Sequence, residues 1–452
     1  MSDTPERSSL PRERILAVAA VTLATATVSF DASIPNVALP TIARELAVPG
    51  SSAVSIISVY QLVLVVTLLP FAALSERIGH RRMLRTGLAL FIAGGLLCTL
   101  ARTLPALIAL RVCQSIGAAA VLSVGSALIR SLYPPEWLGR GLSLNTAIVT
   151  ATTSLAPTVG GLMLSVLPWY WVFAIGVPAT ATALLLSGTI PESDRNDAPF
   201  DIPGAIYCMA SFGLLFAGIE SAVHGASLLV AALLLALGVP VTVRFVQREM
   251  RTGVPILPLD LLKRPVVALS VGGAMPAFVA SMVVLVTVPF RMHEQFGLST
   301  AATGAVLASW PLTMMLCAPT AGILSDRVPA PVLGTFGMAV ATVGAVLLAL
   351  LPGSASPFDI SWRIAVCAAG YSFYVSPNFR MVVNGAPPGR VASAGSLMTT
   401  ARMSGQTLGA TLSATLLALG IGQGAAAAAI AAALFFLAGA FGVLRLSPRI
   451  RD

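Results

Sequence analysis

The sequence predicts an all-α polytopic membrane protein with about fourteen transmembrane helices. Of its 452 residues, 56% are hydrophobic and 10% are charged, and the mean hydropathy is +0.89. A soluble domain carries charge on roughly a quarter of its residues, so this composition excludes a soluble protein. The apolar segments are long and continuous, whereas a membrane β-barrel shows short strands that alternate in hydrophobicity.

Each predicted span is an apolar segment that approaches the ~20 residues needed to cross a bilayer as a helix. Short polar stretches separate these segments from one another. The fourteen segments are 15–38, 53–74, 86–101, 104–129, 141–164, 168–189, 203–221, 226–246, 266–289, 302–323, 331–351, 361–379, 393–418 and 424–444.

The basic residues predict the orientation of the spans. With the amino terminus in the cytoplasm, 21 of the 27 basic residues fall in cytoplasmic segments, 4 fall outside and 2 lie within spans. Cytoplasmic loops are enriched in Lys and Arg, so we expect both termini in the cytoplasm and an even number of spans. Removing the seventh and eighth spans together keeps this parity, so the charges also allow twelve. Orientation accounts for the net charge of +9 without a nucleic-acid partner.

A short repeat predicts two structurally related halves. Residues 74–77, LSER, end the second span, and residues 324–327, LSDR, end the tenth. Both lie at a predicted cytoplasmic junction between a helix and a loop, and many transporters contain such repeats. A chance match of four residues is the alternative.

Asp31 is the acidic residue that the sequence places deepest in the hydrocarbon. It lies ~12 Å before the predicted outer end of the first span, and Arg111 lies ~10 Å into the fourth span from the same side. A charge at the centre of a membrane helix costs at least ~2.5–3.5 kcal/mol, so we expect the two side chains to pair. Burial favours a neutral carboxylate and a nearby Arg favours a charged one. The pair is therefore a candidate proton-coupling or cation-binding site, with a purely structural ion pair as the alternative.

Small residues in the fifth span predict either a bend or a sliding seam. Pro157, Gly160 and Gly161 lie together in TSLAPTVGGLM. Proline removes a backbone hydrogen bond from a helix, and small residues let neighbouring helices approach closely. Ordinary tight packing is the alternative.

Several polar and aromatic residues are candidates for lining a substrate cavity. Arg402, near the predicted cytoplasmic start of the thirteenth span, would either snorkel to the interface or face the cavity. Glu220 and His224 are expected at the outer interface. Aromatic residues at helix ends also serve as interface anchors. The remaining cavity candidates are Tyr60, Gln61, Gln114, Asn145, Trp310, Tyr371, Phe373 and Tyr374.

The sequence lacks the common motifs of catalysis, ATP hydrolysis and metal binding. The single lysine, Lys263, is not part of a GxxxxGK[ST] loop, and HExxH and GxSxG are absent. The five cysteines lie in apolar runs without CxxC spacing, so we expect buried core residues and not metal ligands or disulfides. We therefore expect neither an enzyme nor a metal or cofactor site.

Six segments resemble motifs of the major facilitator superfamily, and specifically those of its fourteen-span second drug:proton antiporter family. FDASIPNVALP is similar to LDxTIVNVALP of the first helix, and AALSERIGHRRML to the loop motif GxLaDrxGrrr. LIALRVCQSIGAA is similar to lxxxRxxQGxgaa, and APTVGG to the antiporter motif GPxxGG. WYWVFAIGVP and ARMSGQTLGA are similar to WrwiFxiNvP and RxxGxxlG. The departures include Ala72, Glu76, Ser115, Ala156 and Gly176.

The resemblance implies two six-helix bundles around a central cavity, with two extra helices between them. The implied divisions are a tail at 1–14, a bundle at 15–190, a linker with the extra helices at 191–265, a bundle at 266–445 and a tail at 446–452.

The resemblance also implies export of small amphiphilic molecules from a bacterial cell across its cytoplasmic (inner) membrane, by a monomer driven by proton influx. Asp31 and Arg111 would couple protons, and the loop motif would clasp the outward-facing state. That motif comprises Glu76, Arg77, Gly79 and Arg81, echoed by Asp326 and Arg327. One alternative is a dedicated exporter of one metabolite, antibiotic or siderophore. A second is a sensor or scaffold, which would be expected to carry a soluble output domain.

Overall fold

The chain folds into sixteen α-helices over the residues that the computed structural model describes, which are 12–134, 138–192, 201–223, 228–252, 257–325, 327–387, 391–421 and 424–446. Within these ranges there is no β-strand. The helices are α1 (Arg12–Ser33), α2 (Pro35–Glu45), α3 (Gly50–Ile78), α4 (His80–Cys98), α5 (Leu104–Leu132), α6 (Leu138–Val166), α7 (Val177–Leu186), α8 (Ile202–Val223), α9 (Leu228–Glu249), α10 (Pro265–Glu294), α11 (Thr300–Leu307), α12 (Ser309–Leu324), α13 (Ala330–Ala349), α14 (Pro357–Asn384), α15 (Val391–Ala418) and α16 (Ala425–Leu444).

These helices confirm the predicted all-helical membrane class. Over the described residues, ten helical segments are long and apolar enough to cross a membrane. Each of the fourteen predicted segments overlaps a helix, while the count of fourteen spans stays a prediction. Large apolar side chains such as Leu185, Phe336 and Phe436 are exposed on the outer surface, where lipid would cover them.

Two bundles account for most of the packing. In the first bundle, α1 contacts α5, α6 and α7, while α5 also contacts α3 and α4. In the second bundle, α10 contacts α14, α15 and α16, and α13 packs between α14 and α16. The two bundles meet where α3 packs against α15 and where α6 packs against α11 and α12. We call this contact surface the seam.

A helical hairpin, α8–α9, lies against one side of the seam. Apart from α9, the principal contacts of α8 are with α3 of the first bundle and α15 of the second. Asp201 and Arg248 form an ion pair of 2.5 Å between the start of α8 and the end of α9. The hairpin is therefore held as a unit that touches both bundles.

The seam is closed at one end of the molecule. We call the end that holds the loops 46–49 and 295–299 the distal end, and the end that holds Gly79 the proximal end. At the distal end, Ile42 and Ile56 of the first bundle share a buried apolar cluster with Val286 and Phe290 of α10 and with Ala414 of α15. This cluster packs the distal ends of the bundles together.

Candidate functional site

Three buried polar side chains form a hydrogen-bonded cluster between α1 and α5. Arg111 Nη1 donates to Asp31 Oδ2 at 2.7 Å and to Gln114 Oε1 at 2.7 Å, and Gln114 Nε2 donates to Asp31 Oδ1 at 3.1 Å. Asp31 is 3% exposed, Arg111 1% and Gln114 0%. The pairing expected from their depths is therefore present, and both carboxylate oxygen atoms of Asp31 are engaged.

Aromatic rings enclose the guanidinium of Arg111. Its central carbon lies 4.0 Å from the centroid of the Tyr60 ring and 5.1 Å from that of Phe173. Ser115 Oγ donates to the backbone oxygen of Tyr60 at 2.6 Å, which ties α5 to α3 beside the cluster. A cation–π contact is worth ~2 kcal/mol or more when it is desolvated, so these rings hold the positive charge in place.

The helix that carries Asp31 is interrupted just after it. Pro35 has no backbone N–H, so the carbonyl oxygen of Asp31, four residues earlier, has no helical donor there. Helix α1 ends at Ser33 and α2 begins at Pro35. Because α2 continues to Glu45, Asp31 lies ~21 Å from the distal helix end, and the predicted ~12 Å was too shallow.

Glycines on α4 and α5 set the position of Arg111 and Gln114. A Cβ added at Gly94 would lie 2.7 Å from the Cα of Gln114, and one added at Gly117 would lie 2.5 Å from the backbone nitrogen of Phe91. Such contacts leave no room for a side chain. The two helices therefore pack backbone to backbone, and this contact fixes the depth of the cluster.

A buried ion pair of this kind adds little net stability. The cost of removing two charges from water offsets most of their attraction, while removing one partner costs ~3–5 kcal/mol because the other charge remains buried. Protonation of Asp31 likewise leaves the charge of Arg111 buried without an oppositely charged partner. The arrangement is thus suited to linking a proton on one carboxylate to movement of helices α1 and α5.

The predicted antiporter motif lies on the seam and not within one bundle. A Cβ at Gly160 would lie 2.8 Å from Ile34 Cγ1, at the interruption between α1 and α2. A Cβ at Gly161 would lie 2.9 Å from the backbone oxygen of Thr300 on the second bundle. Helix α6 is continuous through Pro157, whose carbonyl faces Gly304 of α11.

The predicted loop motif lies at the proximal end, where its acid and first arginine are exposed. Glu76 and Arg77 end α3, and Gly79 adopts φ +97°, a conformation that favours glycine. Arg81 Nη2 donates to the backbone oxygen of Gly188 at 2.9 Å. In the second half, Arg327 is exposed, and Asp326 lies outside the described residues.

The cavity candidates occupy several different environments. Tyr60 and Gln114 belong to the buried cluster, while Gln61 Nε2 reaches Met282 Sδ of α10 across the seam at 4.0 Å. Asn145 Oδ1 accepts from Thr25 Oγ1 at 3.0 Å within the first bundle. Tyr371 is 6% exposed, and it lies within an aromatic cluster that contains Trp310, Phe278 and Phe435. Tyr374 is fully buried and Phe373 is half-buried.

Arg402 lies deeper than its sequence position indicated. Helix α15 begins at Val391, so Arg402 is ~16 Å along the helix and is half-buried. The predicted location near the cytoplasmic start of the span was wrong. The predicted span, 393–418, starts within two residues of the start of α15, so the error lay in placing Arg402 at the opening of that span. At this depth Arg402 is too far from the helix end to snorkel.

Glu220 was predicted at the outer interface, and the structure places it within the helix packing. Its Oε1 accepts from Ser58 Oγ at 2.9 Å, and its Oε2 accepts from Thr411 Oγ1 at 3.2 Å. The sequence shows Glu220 three residues before the end of α8 and gives no sign that α8 ends below its neighbours. His224 lies outside the described residues.

Comparison with known proteins identifies the family. Residues 21–410 match the family model of the Major Facilitator Superfamily. The chain belongs to the Major Facilitator Superfamily. It is 37% identical over 401 residues to YebQ of Escherichia coli K12, named an uncharacterized transporter, with 88% of each chain covered. The chain is therefore a polytopic membrane transporter of the superfamily and not an enzyme.

More distant superfamily relatives carry more specific names. The riboflavin transporter RibZ of Clostridioides difficile strain 630 is 27% identical over 389 residues, which cover 84% of this chain and 83% of RibZ. The multidrug resistance protein Stp of Mycobacterium tuberculosis is 26% identical over 402 residues, which cover 88% of this chain and 75% of Stp. A crystal structure of a POT family transporter matches with a TM-score of 0.74 over 97% of both chains, at 17% identity, which shows the shared fold.

Proposed function

We propose that this superfamily member is a proton-coupled efflux transporter for small amphiphilic molecules, of the fourteen-span drug:proton antiporter type. The observation that carries the proposal is the enclosed cluster of Asp31, Arg111 and Gln114. It buries an acid ~21 Å from the distal end of α2, with each carboxylate oxygen hydrogen-bonded. Such intramembrane acids mark proton pathways, and stability alone gives no reason to keep this one.

In the proposed cycle, a proton adds to the carboxylate of Asp31 and removes its negative charge. The hydrogen bonds from Arg111 Nη1 and Gln114 Nε2 are then weakened, because charge-assisted bonds are roughly twice as strong as neutral ones. Arg111 retains its charge and its contact with the Tyr60 ring. Helices α1 and α5 therefore favour a different relative position when Asp31 is protonated, which supplies the link to alternating access.

The seam supports alternating access as the way substrate crosses. The closed distal cluster and the glycines of α6 show two bundles in close contact at one end. On the proposed orientation, with both termini cytoplasmic, the distal end would face outside and its closure would correspond to an inward-facing state. Exposure of Glu76 and Arg77 at the proximal end agrees with that assignment, since the loop motif would be engaged in the outward-facing state.

Polar atoms on the seam are available to bind a substrate. Within the described residues, the buried oxygen atoms without a hydrogen-bond partner on the seam helices α3, α11 and α15 include Gln61 Oε1, Thr303 Oγ1, Thr400 Oγ1 and Ser404 Oγ. A buried polar group without a partner costs ~1–3 kcal/mol, so a polar ligand or water would satisfy them. In addition, an apolar groove of about 690 Å³ runs along α1, α6 and α7 and reaches Phe30, next to Asp31. The apolar lining of this groove suits the apolar part of an amphiphile.

A dedicated exporter of one metabolite is the second candidate. The similarity to RibZ favours it, because that relative is named for a single substrate, whereas Stp is named for multidrug resistance. Both candidates use the proton gradient as the energy source, require no cofactor and place a monomer in the bacterial cytoplasmic membrane. They differ only in the breadth of the substrates carried.

A susceptibility screen in an efflux-deficient bacterial host separates the two candidates. The wild type is compared with D31N and with E192Q, which removes a carboxylate from an exposed loop. Resistance to several unrelated amphiphiles, lost in D31N and kept in E192Q, is the expected result. Resistance to one compound alone would support the dedicated exporter. Equal protection by wild type and D31N would overturn the role of Asp31.

A further inference from the structure

We propose that Glu220 is a positioning residue of the transport cycle, through which the α8–α9 hairpin holds the two bundles together at the distal end. This inference rests on the alternating access of the proposed function. Glu220 binds one hydroxyl group from each bundle: Ser58 Oγ of α3 at 2.9 Å and Thr411 Oγ1 of α15 at 3.2 Å. We call these three residues the carboxylate bridge.

The bridge lies inside the membrane-spanning region and not at its edge. Ser58 is ~12 Å from the distal end of α3, and Thr411 is ~10 Å from the distal end of α15. Both hydroxyl residues are buried, at 2% and 3% exposure. A carboxylate at this depth is costly, and two hydroxyl donors from different bundles offset part of that cost.

The packing of the hairpin fixes the direction in which the Glu220 side chain points. A Cβ at Gly218 would lie 2.8 Å from Leu235 Cγ, so α8 and α9 approach closely two residues before Glu220. On the same helix, Phe212 packs against the apolar cores of both bundles. The hairpin therefore presents Glu220 to the line along which α3 and α15 meet.

The chemistry of the bridge is that of one acceptor shared by two donors. An ionised carboxylate only accepts hydrogen bonds, and a serine or threonine hydroxyl can donate one. Opening of the distal end moves α3 away from α15, so Glu220 cannot keep both partners. The bridge thus stabilises the distal-closed state specifically, and its loss favours the distal-open state.

Double electron–electron resonance measures the ratio of distal-open to distal-closed molecules directly. Spin labels at Glu45→Cys and Leu419→Cys, both exposed at the distal end, report the distance between bundles in a background without native cysteines. The variants are E220A, E220Q, S58A and T411V. The matched control is T407V, which removes a buried hydroxyl one turn away that bonds only its own helix at Met403 O. E220Q keeps an acceptor and a donor and is expected to retain most of the bridge.

We expect E220A, S58A and T411V each to raise the ratio of distal-open to distal-closed molecules by about tenfold, since a hydrogen bond to a charged group is worth at least that factor. T407V should match the wild type. In E220A combined with S58A, the effects should not add, because both remove the same bond. If S58A and T411V give the distance distribution of T407V, the inference is wrong even where E220A fails to fold.

Transport assays on the same variants keep the two proposals distinguishable. A shifted distance distribution in a protein that exports nothing would support the carboxylate bridge and contradict the proposed function. Unchanged distances in a protein that exports substrate by Asp31-dependent proton coupling would contradict the bridge alone.

Discussion

Gly161 of α6 and Gly304 of α11 face each other across the seam between the two bundles. A Cβ at Gly161 would lie 3.2 Å from the Cα of Gly304 and 2.9 Å from the backbone oxygen of Thr300. The interruption that follows Asp31 also touches this helix, because Ile34 packs against Gly160. Gly160 and Gly161 therefore join the acid-bearing helix to the second bundle.

Substitution G161A should weaken the distal-closed state. A methyl group at this position overpacks the seam, which typically costs ~1–3 kcal/mol. We expect a larger distal-open population in distance measurements and slower export. The control is G322A on α12, where an added Cβ meets nothing within 4 Å. Equal behaviour of G161A and G322A would show that close packing at this seam is unimportant.

Replacement of Arg111 by lysine should impair export. R111K keeps the charge but loses the planar guanidinium that lies over the Tyr60 ring. We expect at least a tenfold fall in the initial rate of export, measured in inverted membrane vesicles. R102K is the matched control, since Arg102 lies over the Tyr170 ring at 4.6 Å on an exposed loop. Full activity of R111K would mean that charge alone is needed.

Arg402 should influence which substrates are carried. Its half-buried guanidinium lies ~16 Å along α15, on a helix that packs against the other bundle. We expect R402Q to slow export of anionic substrates more than that of neutral or cationic ones, because a positive charge is lost from the protein interior. Competition assays with a matched pair of anionic and cationic dyes measure the ratio. An unchanged ratio would assign Arg402 a structural role.

Arg445 should contribute to stability and not to coupling. It is 2% exposed, its Nη1 donates to Ser270 Oγ at 3.1 Å, and it also bonds Asn378 Oδ1. R445M leaves these buried acceptors without a donor, at a cost of ~1–3 kcal/mol for each unsatisfied group. We expect a lower melting temperature in detergent and an unchanged proton-to-substrate ratio in the protein that folds. R251M, at an exposed arginine after α9, should change neither the melting temperature nor the proton-to-substrate ratio.

Features that depend on local composition, such as the positions of helices, could be predicted from the sequence. Features that depend on how deep one helix lies relative to its neighbours could not. Apolar runs mark the helices, and the isolated charges of Asp31 and Arg111 within those runs predicted their pairing, although the depth of Asp31 was underestimated. Glu220 shows the limit of this reasoning, because nothing local indicates that it lies beside Ser58 and Thr411, ~10–12 Å inside the distal ends of α3 and α15. The depth of Arg402 was misjudged although the predicted span, 393–418, matches α15 closely.

Coupling through Asp31 is the central claim, and substrate-driven proton movement in proteoliposomes tests it most directly. Wild-type protein is reconstituted with a pH-sensitive dye in the lumen, and an amphiphile identified as a substrate is added. We expect a substrate-dependent pH change in the wild type and in E192Q, and none in D31N at equal protein content. A pH change of wild-type size in D31N would contradict the account.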